Sequence, residues 1–382
     1  MQHAAIMPTP PAHDPLLVLN CGSSSIKFAL FESSAEGVFR APSWKGQVDG
    51  VTALAQALRD ILARVRAQLA GRPMRAVAHR VVHGGPKYGA PVRVDAAVLA
   101  DLRSYIPLAP LHQPFALEAI EALLQAHPEL PQIACFDTAF HRHMPEVERM
   151  FALPYAAWER GLRRYGFHGL SYEYMAVALA ERHGALASGR VIVAHLGSGA
   201  SLCAMQGLQS VATTMGFSAL DGLMMGTRCG AIDPGVLLYL LEADCLTPQA
   251  LGQMLYHESG LLGVSGVSSD PRELLLKEGA DPRVRAALAL YVRRIVREIG
   301  ALTAVLGGLD LLVFTAGIGE HNAELRARIG ADLGFLDLRI DPAANAAHAP
   351  VISPPGGRVT VAVEPTNEEW MAARHAHAAA GI

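Results

Sequence analysis

The sequence predicts an α/β fold built on a repeated unit, and three observations carry that expectation. Apolar, β-rich runs alternate with segments of helical period along the chain. Two stretches repeat one pattern of apolar strand, Gly/Ser turn and second apolar strand: LLVLNCGSSSIKFALF at 16–31 and RVIVAHLGSGASLCAMQ at 190–206. They align as VLNCGSSSIKFAL and VAHLGSGASLCAM, with Gly22-Ser23 matching Gly197-Ser198, which reads as an internal duplication. A third glycine-rich stretch, GIGEHN, follows the apolar LDLLVFTAG and reads as another turn at a strand end, where α/β folds place ligands.

Taken in order, MQHAAIMPTPPAHDP is expected to be a disordered arm over residues 1–15; it lacks the basic and apolar segments of a secretory leader. IKFALF alternates, so 16–31 predicts two strands around a tight polar turn. Leu54, Leu58, Ile61, Leu62, Val65 and Leu69 recur at helical spacing and predict an amphipathic helix within 51–70. AVAHRVV reads as a strand, YIPLAPLHQP as proline-bounded loop, FALEAIEALLQAH as helix and QIACFDTAF as strand. Residues 286–306 predict a long helix on Tyr291, Ile295, Ile299 and Leu302. PTNEE precedes a C-terminal helix.

Composition narrows the partners. With 382 residues the chain can hold two ordinary domains, and a formal net charge of -3 provides no basic field for nucleic acid or an anionic membrane. Any anionic ligand must therefore be held locally. The cysteines (Cys21, Cys135, Cys203, Cys229, Cys245) are odd in number and form no C-x-x-C pair, so neither a disulfide framework nor a zinc site is expected. A cytoplasmic protein with reduced thiols is the reading.

The first turn offers a glycine, three hydroxyls, an Asn and a lysine, an inventory suited to phosphate oxygens and Mg²⁺; the alternative is an ordinary hairpin. Polar groups also concentrate in HRVVHGG (Arg80, His83), LAPLHQP (His112), FDTAFH (Asp137), RYGFHG (Arg164, His168), MGTRCGAIDP (Arg228, Asp233) and PTNEE (Asn367, Glu368, Glu369). Singly, each has a structural explanation: a surface ion pair for the arginines, a loop histidine for His112, a turn cap for Asp137, a helix-start carboxylate for Glu368 and Glu369.

In order and spacing, NCGSSSIKF, HRVVHGG, LAPLH, FDTAFH, RYGFHG, HLGSGAS, MGTRCG, SGLLGVSG, FTAGIGE and PTNEE resemble the acetate kinases, short-chain acyl kinases of the acetate and sugar kinase, Hsp70 and actin superfamily. The resemblance runs over 16–370. It implies two duplicated ribonuclease H-like (actin-like ATPase) domains with a central active-site cleft: 16–139 plus 366–382, and a nucleotide-binding 140–365. It implies reversible Mg²⁺-dependent transfer of the γ-phosphoryl of ATP to acetate, giving acetyl phosphate and ADP, with Mn²⁺ as a substitute metal and a homodimer as the assembly. A degenerate paralogue or a nucleotide-switch protein of the same superfamily is the alternative.

By the same resemblance, Asn20 and Glu368 belong to the metal environment, and Ser23, Ser25 and Lys27 to a phosphate-facing turn. Arg80 and Arg228 are similar to the pair that holds carboxylate and transferring phosphoryl, His168 to the group bonding the phosphoryl in flight, Asp137 to an essential acid and His112 to a supporting histidine. Val82, Leu111, Phe167 and Ala219 would line the acyl pocket. His195, Leu196, Gly197, Ser198 and Gly199 would form one nucleotide loop, Gly317, Ile318, Gly319, Glu320 and His321 another, and Asp270, Pro271 and Arg272 the adenosine side. Six positions depart from the family pattern: Gln113, Tyr172, Ser198, Ala231, Pro271 and His321. The pocket departs too, with Ala219 where proline is usual.

Overall fold

The computed structural model describes residues 14–22, 25–50, 53–110 and 112–381. It divides into two units, one of residues 1–139 with 367–382 and one of 140–366. The expected arm at 1–15 falls mostly outside the described residues. At its end, however, Asp14 and Pro15 are strand: they open β1 (Asp14–Cys21) and pair with Ser33 and Glu32.

In the first unit, β1 pairs antiparallel with β2 (Ser25–Ser34), which carries the short β3 (Gly37–Val38) and β4 (Trp44–Asp49) on its other side. On its inner edge β1 runs parallel to β5 (Ala76–Val81), β5 runs parallel to β7 (Gln132–Phe136), and β6 (Val92–Arg93) closes the sheet antiparallel to β7. Being central, β1 is apolar on both faces rather than alternating. One face meets the helix Leu54–Leu69, whose Leu58, Ile61, Leu62, Val65 and Leu69 pack with Leu17, Leu19, Ile26, Phe28 and Leu30. Each such side chain contributes about 1.5–3 kcal/mol on burial. The C-terminal helix Glu368–Ala380 returns to pack on β1, β5 and β7 and buries Trp370, Met371, Ala372, Ala373 and Ala376.

The second unit repeats this plan. β8 (Arg190–Leu196) pairs antiparallel with β9 (Ala200–Gln206), and β9 with β10 (Gln209–Thr213); on its other edge β8 is parallel to β11 (Leu311–Thr315), and β11 to β12 (Thr360–Val363). Each unit is therefore a three-stranded antiparallel meander continued by two parallel strands, with the Gly/Ser turn joining its first two strands. The long helix spans Pro282–Leu306, four residues earlier in onset than its apolar period suggests. Asp281 accepts from the Arg283 and Val284 N–H groups, Pro282 occupies the first turn, and Gly307 closes the helix in the left-handed region at φ 69°.

GIGEHN is not a turn. Residues Ala316–His321 form a short helix directly after β11. Its last carbonyls are satisfied by a side chain from the next helix: the buried Arg326 guanidinium donates through Nη1 to the Gly319 and Glu320 carbonyl oxygens, both at 2.8 Å. Glycines at helix ends read as loop when their acceptors' partner lies further along the chain.

Candidate active site

In the first unit, the ends of neighbouring strands bring polar groups together. Asn20 and Lys27 face each other across the β1–β2 hairpin, and the Gly22 N–H donates to the Ser25 carbonyl at 2.9 Å to close it. Ser23 and Leu111 lie outside the described residues. Arg80 near the end of β5 reaches Asp137, one residue beyond β7. Its Nε lies 3.0 and 3.1 Å from the two carboxylate oxygens and its Nη2 2.8 Å from Oδ2. Nη1 is 3.4 Å from Glu368 Oε2 in the first turn of the C-terminal helix. Burial opposes the guanidinium charge here, yet Asp137 and Glu368 overcome it and hold the Arg80 pKa above the ordinary arginine value. The cap of that helix is Asn367, which accepts from the Trp370 N–H, so Glu368 is not occupied as a cap.

The loop after β5 is pinned beside this cluster. Buried Gln113 brackets His83, accepting from its N–H at 3.1 Å and donating to its carbonyl at 2.9 Å, and the Gly85 N–H donates to His83 Nδ1 at 2.8 Å. Gly84 is required for space, since a Cβ would strike the Tyr88 backbone carbonyl. Val82 is half-buried, and His112 precedes the helix Gln113–Ala126.

In the second unit, His168 stands in the left-handed region at φ 58° at the head of the helix Gly169–His183. Its ring stacks on His195 of β8 with centroids 4.1 Å apart and planes at 16°. A Cβ on Gly199 would lie 3.2 Å from both His168 Nε2 and Arg228 Nη2, so these two groups converge on one glycine. Arg228 donates through Nη1 to the Ala219 carbonyl at 2.9 Å; among the described residues its guanidinium meets no carboxylate, and burial lowers its pKa. Phe167 is buried and its carbonyl bonds His141 Nε2 at 2.9 Å. Arg164 spans the Thr213, Thr214 and Met215 carbonyls and Asp221, a structural role.

The remaining predicted residues divide. Ser198 is exposed and Gly199 buried at the second turn, while the Leu196 side chain belongs to the core, leaving only its backbone for a ligand. Asp270 and Arg272 bind each other, with Nη2–Oδ2 at 2.6 Å, and Asp270 caps the helix that Pro271 begins; Arg272 holds the Asp270 carboxyl below the usual range. Asp233 caps the helix Pro234–Glu242. Of the last loop, Glu320 accepts from the Thr366 N–H at 3.2 Å, and His321 is exposed. Sequence reasoning missed Ser201, Ser171, Thr366 and Arg326. Ser171 and Ser201 sit in apolar or small-residue contexts that read as packing, and Thr366 stands in PTNEE, where the carboxylates and Asn367 draw attention first.

Two sheets of this topology, each a meander continued by parallel strands, are those of the actin-like ATPase fold. The match to known proteins is close. A family model described as the Acetokinase family matches residues 41–374. The chain is 50% identical to an acetate kinase of Rhodopseudomonas palustris, covering 95% of this chain and 97% of that one, and 48% identical to one of Nitrobacter hamburgensis. Among solved structures it is similar to Porphyromonas gingivalis acetate kinase, at 36% identity with a TM-score of 0.84, covering 96% of this chain and 99% of the other. It is likewise similar to a propionate kinase from Francisella tularensis, at 34% identity with a TM-score of 0.85 and the same coverage. The chain belongs to the acetokinase family. No described helix is long and apolar enough to cross a membrane.

Proposed function

We infer that the protein transfers the γ-phosphoryl of ATP reversibly to acetate, giving acetyl phosphate and ADP. The observation that carries this reading is Arg228: a half-buried guanidinium without a carboxylate partner among the described residues, converging with His168 on Gly199. Such a cation suits an anion brought by a substrate.

A carboxylate is already a nucleophile, so the chain needs no strong general base. The obstacle is repulsion between two anions placed in line. In this reading Arg228 neutralises charge between carboxylate and phosphoryl, and His168 donates to a phosphoryl oxygen. Arg80 anchors Asp137 and leaves its remaining N–H groups for the substrate. Ser23, Ser25, Lys27, the 195–199 turn and the 317–321 segment approach the nucleotide, with Asp270, Pro271 and Arg272 on its adenosine side; His112 supports the site.

Asn20 and Glu368 would hold Mg²⁺, or Mn²⁺ in its place. The donor set fits, being oxygen only, and no described cluster of three or more His, Cys, Asp or Glu side chains forms a full protein cage. Mg²⁺ characteristically takes one or two protein oxygens and completes its shell with phosphates and water. When bound it neutralises phosphate charge.

Val82, Leu111, Phe167 and Ala219 line the acyl pocket in this reading. Alanine in place of proline frees space for roughly one or two methylenes, each worth about 0.8 kcal/mol when buried, so propionate is accepted comparably with acetate. Likeness to the Francisella tularensis propionate kinase supports this reading. Trapping acyl phosphate with hydroxylamine, with MgATP and each of formate, acetate, propionate and butyrate, tests it. Kinase activity with kcat/KM for propionate within about tenfold of acetate is expected; a hundredfold deficit overturns the pocket assignment, and no hydroxamate from any acid overturns the activity. The assembly proposed is a homodimer: the helix Pro234–Glu242, PGVLLYLLE, buries none of its residues within one chain.

A further inference from the structure

The His168 imidazole ends a buried chain of hydroxyl groups. Its Nδ1 lies 2.8 Å from Ser201 Oγ, and Ser201 Oγ lies 2.6 Å from the Tyr172 hydroxyl. Ser201 and Tyr172 are both fully buried at 0% exposure, so water does not compete for these bonds. The placement follows from the local fold. Ser201 pairs with His195 across β8 and β9, while Tyr172 sits one helical turn after His168 and its N–H donates to the His168 carbonyl at 3.1 Å.

Ser201 has one hydroxyl hydrogen and these two partners. A phenol is a stronger acid and a poorer acceptor than an alkyl hydroxyl, so Tyr172 donates to Ser201, and the Ser201 hydrogen goes to Nδ1. Each hydroxyl that accepts becomes a better donor to the next group. With Nδ1 accepting, the proton of the neutral ring sits on Nε2, the nitrogen that shares Gly199 with Arg228.

The neighbouring ring supports the same state. His195 Nδ1 is 2.9 Å from Ser171 Oγ, which lies 2.9 Å from Thr366 Oγ1, so the two stacked imidazoles each have their own hydroxyl pair. Two cationic rings at this stacking distance would repel, and Arg228 adds a third positive charge. The stacked His195 ring and the Arg228 cation thus both oppose a charge on His168, and for the neutral ring the tautomer decides what Nε2 presents.

We propose that Tyr172, acting through Ser201, is a positioning residue that fixes His168 as the tautomer protonated on Nε2. The opposite tautomer would aim a lone pair at a phosphoryl oxygen and repel it. The functional part of this inference rests on reading His168 as the phosphoryl contact. Tyr172 occupies the place where the family pattern has histidine, so a longer side chain performs the donation here.

The test is side-chain ¹⁵N NMR of the full-length protein labelled at histidine, with His168 assigned by its loss in His168→Asn, combined with steady-state kinetics. The wild type is expected to show His168 protonated on Nε2. Tyr172→Phe is expected to mix the tautomers and lower kcat at least about tenfold, with KM for ATP and acetate within twofold, and Tyr172→His to recover most of the loss. Should Tyr172→Phe not fold, Ser201→Ala is read by the same two measurements. A proton on Nδ1 in the wild type overturns the relay, as does a folded Tyr172→Phe with unchanged tautomer and kcat. Full activity in His168→Asn overturns the reading of His168 as the phosphoryl contact, even where the tautomer is as expected.

Discussion

Arg80 and Arg228 are the same side chain in opposite electrostatic states. Arg80 is neutralised by Asp137 and Glu368, whereas the half-buried Arg228 bonds the Ala219 carbonyl and meets no carboxylate among the described residues. Removing Arg228 therefore takes away a half-buried cation that, in the proposed function, is compensated by substrate. Arg228→Ala is expected to lower kcat by about 100- to 1,000-fold or more while retaining native circular dichroism and a Tm close to wild type. Arg80→Ala instead leaves two carboxylates facing each other, one of them nearly inaccessible, and should cost about 3 kcal/mol of stability in urea titration. Near-wild-type turnover in folded Arg228→Ala would contradict the assignment. Both arginines were legible in the sequence: Arg228 stands between two glycines in GTRCG, and Arg80 interrupts an apolar strand just ahead of the His-Gly-Gly of HRVVHGG. Ser201 was not, because a lone hydroxyl at the head of an apolar strand looks like strand filler until its partners are known.

Among the elements, the short helix Ala316–His321 depends on Arg326. That guanidinium is fully buried and makes its bonds to the Gly319 and Glu320 carbonyls, to Asn345 and to His348, while burial pulls its pKa down to about 10. Arg326→Leu preserves bulk but strands several buried acceptors. A loss of about 3 kcal/mol or more in urea unfolding is expected, with weakened nucleotide affinity if this helix approaches ATP; unchanged stability would refute the account. Strands and long helices were readable because period and apolar content specify them locally. The first two strands of each sheet could even be aligned by their turns. GIGEHN was misread because its helix is completed by a residue outside the segment. The cap roles of Asp233, Asp270 and Asn367 show the same principle in reverse, since an Asn or Asp just before a helix start has a local function that needs no ligand.

For the whole molecule, buried histidines set the acid limit of stability. His79, His83 and His141 are each pushed down to about 4 by burial. His79 bonds Gln132, His83 accepts from Gly85, and His141 bonds Ser210 and Phe167. Between pH 6.5 and 4 the unfolded chain binds protons at these sites and the native chain does not. Stability is therefore complete above about pH 6.5 and falls as pH drops toward 4, with a slope of up to about 4 kcal/mol per pH unit if all three contribute fully. Urea midpoints measured across that range check this, and a flat profile would contradict it. Composition argued against nucleic acid and an anionic membrane as partners, but it could not by itself specify a reaction; the resemblance carried by the ordered polar motifs implied one. The most direct measurement of the central claim is ³¹P NMR of the purified protein with MgATP and acetate, and in reverse with MgADP and acetyl phosphate. An acyl phosphate resonance growing as the γ-phosphoryl signal falls, and ATP reappearing in the reverse mixture, is the predicted result. Folded protein that binds ATP yet yields only inorganic phosphate, or no change in either direction, would contradict it.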